Sequence, residues 1–298
     1  MHDPIGVPAC FTLGERPVDD SSIVTRSGQS IQISVYQTNI AGQCRLITIT
    51  WCKNLLLHGL SVSVEGPEGE SHYCCKVELK PWSFWRKRGS KQFIVDNKAV
   101  GVVWDLKAAK FNGETQPQSD YYVAIVCDKE VALLVGDMKK DAYRRTGCRP
   151  SLIEPIFVAR KEHLFGKKKF SSRVKFEESG TFHEITIECS SADGVDSKME
   201  ISIDGQIAIN VKHLQWKFRG NESIFVNKTR VEVYWDVHDW LFSPGLRNAL
   251  FIFNPTSTSL SAALCNETEA ENSGSSYEDY TSNGSTGFSF VLYAWKVE

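Results

Sequence analysis

Two stretches decide how this chain folds: QFIVDNKAVGVVWDLKAAKF, residues 92–111, and SIFVNKTRVEVYWDVHDWLF, residues 223–242. In each, apolar and polar residues alternate on both sides of a central pair, Asp96-Asn97 in the first and Asn227-Lys228 in the second. Each then reaches Trp-Asp, at Trp104-Asp105 and at Trp235-Asp236. A period of two marks a strand with one buried and one wet face, and Asp and Asn tolerate the left-handed backbone of a tight turn. Both stretches read as antiparallel hairpins.

The correspondence continues outward from the hairpins. ITITWCKN (47–54) answers ITIECSS (185–191), GLSVSVEGPEG (59–69) answers KMEISIDGQ (198–206), and Trp82 and Trp216 each precede a basic turn. Ile47 and Ile185 lie 138 residues apart, and Asp105 and Asp236 lie 131 apart, a drift that two small deletions explain. The chain reads as two diverged copies of one unit of roughly 130 residues, each with about eight strand candidates. The expected architecture is all-β: two tandem pseudo-repeats of an antiparallel meander with a short connecting helix. Each repeat is either barrel-like, resembling the lipocalin class, or a sandwich.

The expected boundaries are an N-terminal segment over 1–29, partly disordered, a first β unit over 30–136, helix and linker over 137–168, and a second β unit over 169–298. The second unit carries a polar insertion at 255–286, expected to be mobile. Asp137 to Gly147 is the clearest helix signal, with Asp137 placed to cap the free N–H groups and Gly147 to make a left-handed exit.

Composition narrows the function classes. At 298 residues with 42% hydrophobic and 23% charged residues, each unit is large enough to bury its own core. The N-terminus lacks the basic end and apolar core of a signal peptide, and no apolar run is long enough to span a membrane. Nine cysteines, an odd count without CxxC spacing, suit reduced thiols. These features place the protein inside the cell, in cytoplasm or nucleus, and not among secreted proteins.

Several long runs resemble a plant family catalogued as domain of unknown function 868. They are WCKN (51–54), CKVELKPWSFWRKRGSK (75–91), VVWDLKAAKFNGE (102–114), SDYYVAIV (119–126), DMKKDAYRRTGCRPSLIEP (137–155), RKEHLFGKKKF (160–170) and the run from Lys212 to Arg247. Together they extend over about residues 30–253. The resemblance implies a plant protein of no assigned activity and supplies no catalytic residues, so the chemistry has to be read from this chain.

No catalytic constellation emerges. Asp236 and His238, at i and i+2, would share one face of a strand, with Asp239 adjacent, but two ligands do not make a metal site, and the first copy has Asp105 and Lys107 there. Cys148 lies among Arg144, Arg145 and Arg149, yet at the helix end whose dipole opposes a thiolate. Neither GxGxxG nor GxxxxGK[ST] occurs, and no cofactor is called for. An isomerase- or hydratase-like enzyme built on Asp236 and His238 is one alternative reading. A small apolar ligand held inside a β unit, with Trp104 and Trp235 lining the cavity, is another.

Charge segregation is the strongest polar feature. Residues 76–98 hold seven basic residues against two acidic, residues 139–175 hold twelve against three, and 256–286 hold five acidic and none basic. Trp82 and Trp85 interleave with Arg86, Lys87 and Arg88, and the helix adds Lys139, Lys140, Arg144 and Arg145. Rings among cations suit an anionic lipid, a nucleic acid or an acidic peptide. The reading is a non-enzymatic binding module that engages an anionic partner through these basic segments.

Overall fold

β-branched alternation drives the chain into strands whose apolar faces must be buried, and two sheets facing each other are the outcome. The computed structural model describes residues 29–54, 58–65, 72–79, 87–177, 180–192, 196–245, 247–256 and 288–297. The N-terminal segment and nearly all of the polar insertion lie outside the described residues. So do Trp82, Trp85 and Arg86.

One compact unit runs to Lys167 and takes in Pro244–Asn248 and the chain from Leu292; the other comprises Lys168–Ser243 and the described residues within Ala249–Val291. In the first unit β1 (Ser30–Ile40), β2 (Gln43–Lys53), β3 (His58–Glu65) and β4 (His72–Leu79) form an antiparallel meander, and β5 (Arg88–Val95), β6 (Lys98–Asp105), β7 (Tyr122–Cys127) and β8 (Glu130–Gly136) form another. After β8 come helix α1 (Lys139–Thr146), the short β9 (Arg149–Pro150) beside β8, and β10 (Ile156–Gly166) beside β1. Ile47, Ile49, Trp51, Leu60 and Val62 from one sheet share a core with Val100, Val102, Trp104, Val123 and Ile125 from the other.

The chain from Lys169 repeats the strand order: β11 (Lys169–Val174), β12 (His183–Ala192), β13 (Asp196–Ile203) and β14 (Gln206–Val211), then β15 (Arg219–Val226), β16 (Thr229–Asp236), β17 (Arg247–Thr256) and β18 (Ser289–Lys296), of which Arg247, Asn248 and the stretch from Leu292 count with the first unit. Helix α2 (His238–Phe242) lies between β16 and β17. Register agrees as well as order. Ile47 faces Val64 and Ile185 faces Ile203; Arg88 faces Asp105 and Arg219 faces Asp236. Trp240 bridges the two sheets of the second unit, its ring 5.3 Å from Phe170 of β11 and 5.7 Å from Phe251 of β17.

The sheets stay open, and among the described residues none closes into a barrel. The barrel-like expectation is therefore corrected to a sandwich. Alternation fixes strands and buried faces but says nothing of closure, which needs a first-to-last strand pairing.

Both hairpins pack a tryptophan onto a cross-strand glycine. Trp104 faces Gly89 and Trp235 faces Gly220, and a Cβ on either glycine would come within 2.6 Å and 2.3 Å of the indole. The rings are 5% and 8% exposed. The expected hairpin turns are left-handed at Asp96 and Asn97 (φ 47° and 63°) and at Asn227 (φ 55°).

Two buried side chains tie sheet to sheet. In the first unit Arg45, on β2, donates to the Glu65 carbonyl (2.9 Å) and to Gln43 (2.6 Å), and pairs with Asp96 in the β5–β6 turn. In the second unit His183, on β12, bonds Asp204 through Nδ1 (2.7 Å) and lies 3.4 Å from the Asn227 amide in the β15–β16 turn.

Helix α1 matches the expected helix, and Gly147 closes it in the left-handed region (φ 64°) with its N–H on the Tyr143 carbonyl. Asp137 does not cap it. A Cβ on Gly136 (φ 107°) would meet the Tyr121 carbonyl at 2.2 Å, so the chain is pressed against that backbone. Asp137 instead accepts the N–H groups of Asp120 (3.0 Å) and Tyr121 (3.1 Å), bonds that hold its carboxyl below the usual range.

In the first unit His163 is buried, stacked on Tyr293 at 4.6 Å, and accepts the Trp295 indole N–H at Nδ1 (3.1 Å). Burial, with the Lys161 charge adding to it, pushes its pKa down to about 4. Below pH 6.5 the unfolded chain binds a proton that the folded chain refuses, so this stability is present above pH 6.5 and is lost as pH falls toward 4.

Two outcomes follow. Gly89→Ala and Gly220→Ala should each cost about 1–3 kcal/mol in urea unfolding, because the indole must move. Gly101→Ala, whose Cβ meets nothing nearer than 3.8 Å, should be neutral or slightly stabilising. Between pH 7 and pH 4 the wild type should lose about 3 kcal/mol more than His163→Gln, which keeps the acceptor for Trp295 but does not titrate. Parallel pH curves for the two proteins would contradict the assignment.

Candidate anion-binding face

One row of residues runs straight across the sheet of β5 to β8: Arg88 faces Asp105, Asp105 faces Tyr122, and Tyr122 faces Gly136. Side chains of directly paired residues lie on one face, so the guanidinium, the carboxylate and the phenol are neighbours. Arg88 and Asp105 form an ion pair (3.0 Å). The Asp105 carboxylate also accepts the Lys107 N–H (3.2 Å), while the Leu106 N–H bonds the Lys87 carbonyl (2.7 Å) and holds that residue beside the row.

Helix α1 packs on the same face. Ala142 is fully buried in a cluster with Tyr122, Ala124 and Val131, and Met138, Tyr143 and Cys148 close around it. The other side of the helix carries Lys139, Lys140, Arg144 and Arg145, all exposed. Arg144 pairs with Asp141, whereas Lys139, Lys140 and Arg145 have no ion pair among the described residues. Arg149, just beyond, donates through Nε (3.0 Å) and Nη2 (2.6 Å) to one carboxylate oxygen of Glu130.

The Tyr122 hydroxyl is buried and, among the described residues, has no hydrogen-bond partner. Burial raises its pKa; the charges of Arg145 and Arg88 oppose the rise, and those of Asp105 and Asp141 reinforce it. Two basic segments far apart in sequence thus converge on one orphaned hydroxyl. Composition revealed the charges but not this convergence, and nothing in the sequence distinguished Tyr122 from a core residue.

The other expected site residues fall elsewhere. Trp104 and Trp235 are buried, each packed against a cross-strand glycine. Asp236 and His238 do not share a strand face, because β16 ends at Asp236 and His238 opens α2. Asp236 pairs with Arg219 (2.8 Å) and accepts the His238 N–H (3.0 Å), so its role is to start the helix. The His238 ring lies against Phe242 at 5.1 Å and bonds Asp239 (3.1 Å). Among the described residues no three His, Cys, Asp or Glu side chains group to hold a metal ion. Cys148 is half-buried, its Sγ 3.3 Å from the Thr146 carbonyl. Lys167, Lys168 and Lys169 are exposed in the turn after β10.

Trp216, which stands before the basic turn of the second unit, is 81% exposed. The turn it occupies, with His213 at φ 54° and the Trp216 N–H on the His213 carbonyl, carries the indole outward. The equivalent row of the second unit, Arg219, Asp236 and Leu250, has a leucine in place of tyrosine.

A family profile described as "Plant protein of unknown function" matches residues 27–296. No curated protein and no solved structure matches the chain.

Tyr122→Phe removes a buried hydroxyl that bonds nothing, so it should leave stability unchanged or raise it by about 1 kcal/mol in urea unfolding. A loss of that size would mean that the hydroxyl has a partner.

Proposed function

The chain belongs to the plant family of domain of unknown function 868, and from that premise we propose that it is a non-enzymatic module that binds a phosphate-bearing partner through its first unit. The observation that carries this reading is the convergence of Arg88 and Arg145 on the unpartnered Tyr122 hydroxyl, beside the exposed Lys139 and Lys140. Two guanidinium groups and a phenol offer several donors to one oxyanion, and a guanidinium fork fits tetrahedral phosphate oxygens bidentately.

We further propose that the two units descend from one ancestral unit. Identical strand order, matched register, the paired glycine–tryptophan contacts and the Arg88–Asp105 and Arg219–Asp236 ion pairs support it. On this reading, features common to both units serve the fold, and Tyr122 with α1 marks what the first unit gained. The free thiols of Cys44, Cys52, Cys127 and Cys148 support residence in a reducing compartment.

The test is binding of three labelled probes at low and high salt: vesicles containing phosphatidylserine, a single-stranded oligonucleotide and a phosphoserine peptide. At least one should bind with an affinity that falls steeply with salt. The combined variant Lys139→Ala, Lys140→Ala, Arg145→Ala alters only exposed side chains, and should fold normally while weakening that probe about tenfold or more. If the variant binds like the wild type, or no probe binds, the face is an ordinary solvated surface.

A further inference from the structure

A cleft of about 220 Å³ opens in the second unit beside His183. Phe176, Glu177 and Thr181 line one part of it, and Asn227 and Thr229 of the β15–β16 hairpin line another. Its position is explained by the first unit. Arg45 stands two residues before Ile47, as His183 stands two before Ile185, and both residues link the turn after the third strand to the turn of the following hairpin. The Arg45 partners Gln43 and Asp96 correspond in register to Thr181 and Asn227, which line the cleft.

The difference is one of length. The guanidinium of Arg45 reaches across from β2 and is itself buried. His183 makes the same link with a shorter ring, and space is left beside it. His183 Nδ1 bonds the Asp204 carboxylate, and its Nε2 faces the Asn227 amide nitrogen at 3.4 Å, which leaves the Asn227 side-chain carbonyl as an acceptor. Around the space lie the Glu177 carboxylate, which accepts the Thr229 hydroxyl, the amide of Asn227, and Phe176, whose ring stacks 5.9 Å from His183. Lys228 also lines the cleft, but it is an exposed turn residue.

We propose that this cleft is a binding site for a guanidinium group, and that a ligand from outside the chain fills there the place that Arg45 fills in the first unit. Glu177 supplies the counter-charge, the Asn227 side-chain carbonyl accepts an N–H group, and Phe176 offers an apolar wall for the flat cation. This site is separate from the anion-binding face and needs no property of it.

Two probes test it by calorimetry and by the His183 ring resonances: n-butylguanidine, standing for a small molecule, and the peptide Gly-Arg-Gly, standing for a side chain of a protein partner. Binding of either one, with His183 resonances shifting, is the expected result, and a peptide that binds while n-butylguanidine does not assigns the site to a protein partner. The double variant His183→Arg, Asn227→Asp rebuilds the latch of the first unit, so it should melt at or above the wild-type temperature and bind neither probe. Glu177→Gln, at an exposed residue, should weaken binding about tenfold without changing the melting temperature. Failure of both probes to bind the wild type, or undiminished binding by the folded double variant, would overturn the assignment.

Discussion

A buried guanidinium sets the terms of the first unit. Arg45 is 5% exposed, yet it carries a full charge between two sheets whose facing sides are otherwise apolar. Such a group is costly unless its donors are taken, and Asp96, the Glu65 carbonyl and Gln43 take those of its two terminal nitrogens, while Nε has no partner among the described residues. Gln43 and Glu65 lie at strand ends of Arg45's own sheet and Asp96 lies in the β5–β6 turn of the facing sheet, so the ion pair admits one alignment of the sandwich. A slip of one residue in β2 would turn Arg45 outward and strand Asp96. The apolar core accounts for most of the burial, and the ion pair selects the register in which that burial occurs.

The same joint is made more loosely in the second unit. His183 with Asp204 and Asn227 holds the corresponding turns with one imidazole, which carries a charge only when protonated. The two units therefore share a scaffold but differ in what their joints and faces leave available. Arg88–Asp105 and Arg219–Asp236 are a fixed element of the hairpin, and each begins a row across its sheet. In the first unit the row continues to Tyr122 under a basic helix; in the second it continues to Leu250, an apolar neighbour that offers an anion nothing. On the proposed reading, binding chemistry resides in the residues that one unit has and the other lacks.

Much of the fold was legible in the sequence, because strands announce themselves locally. The period-two runs at 46–51 and 185–189, the Asp96-Asn97 turn and the helix before Gly147 each carry their cause in neighbouring residues. Closure was not legible, since an open sandwich and a barrel share the same alternation. Nor was α2: Val237 and Trp240 have helical spacing, and Pro244 follows, but the run looked like a continuing strand. Asp137 misled because capping residues are recognised by type, while the partner it chose lies 16 residues back at Tyr121. Of the candidate site, Arg88, Lys139, Lys140 and Arg145 were named from charge alone. Tyr122 was not, because its distinction is a missing hydrogen bond, which only a three-dimensional arrangement reveals. His183 likewise gained meaning only when its place could be compared with that of Arg45.

The central claim is that the first unit, and not the second, gathers arginines into an anion site. Side-chain Nε–Hε resonances of arginine, followed by NMR while O-phosphoserine is added, test it most directly. The account predicts that Arg88 and Arg145 shift together along one saturating curve while Arg219, which occupies the place of Arg88 in the second unit, stays still. Equal shifts at Arg88 and Arg219, or a stationary Arg145, would contradict it.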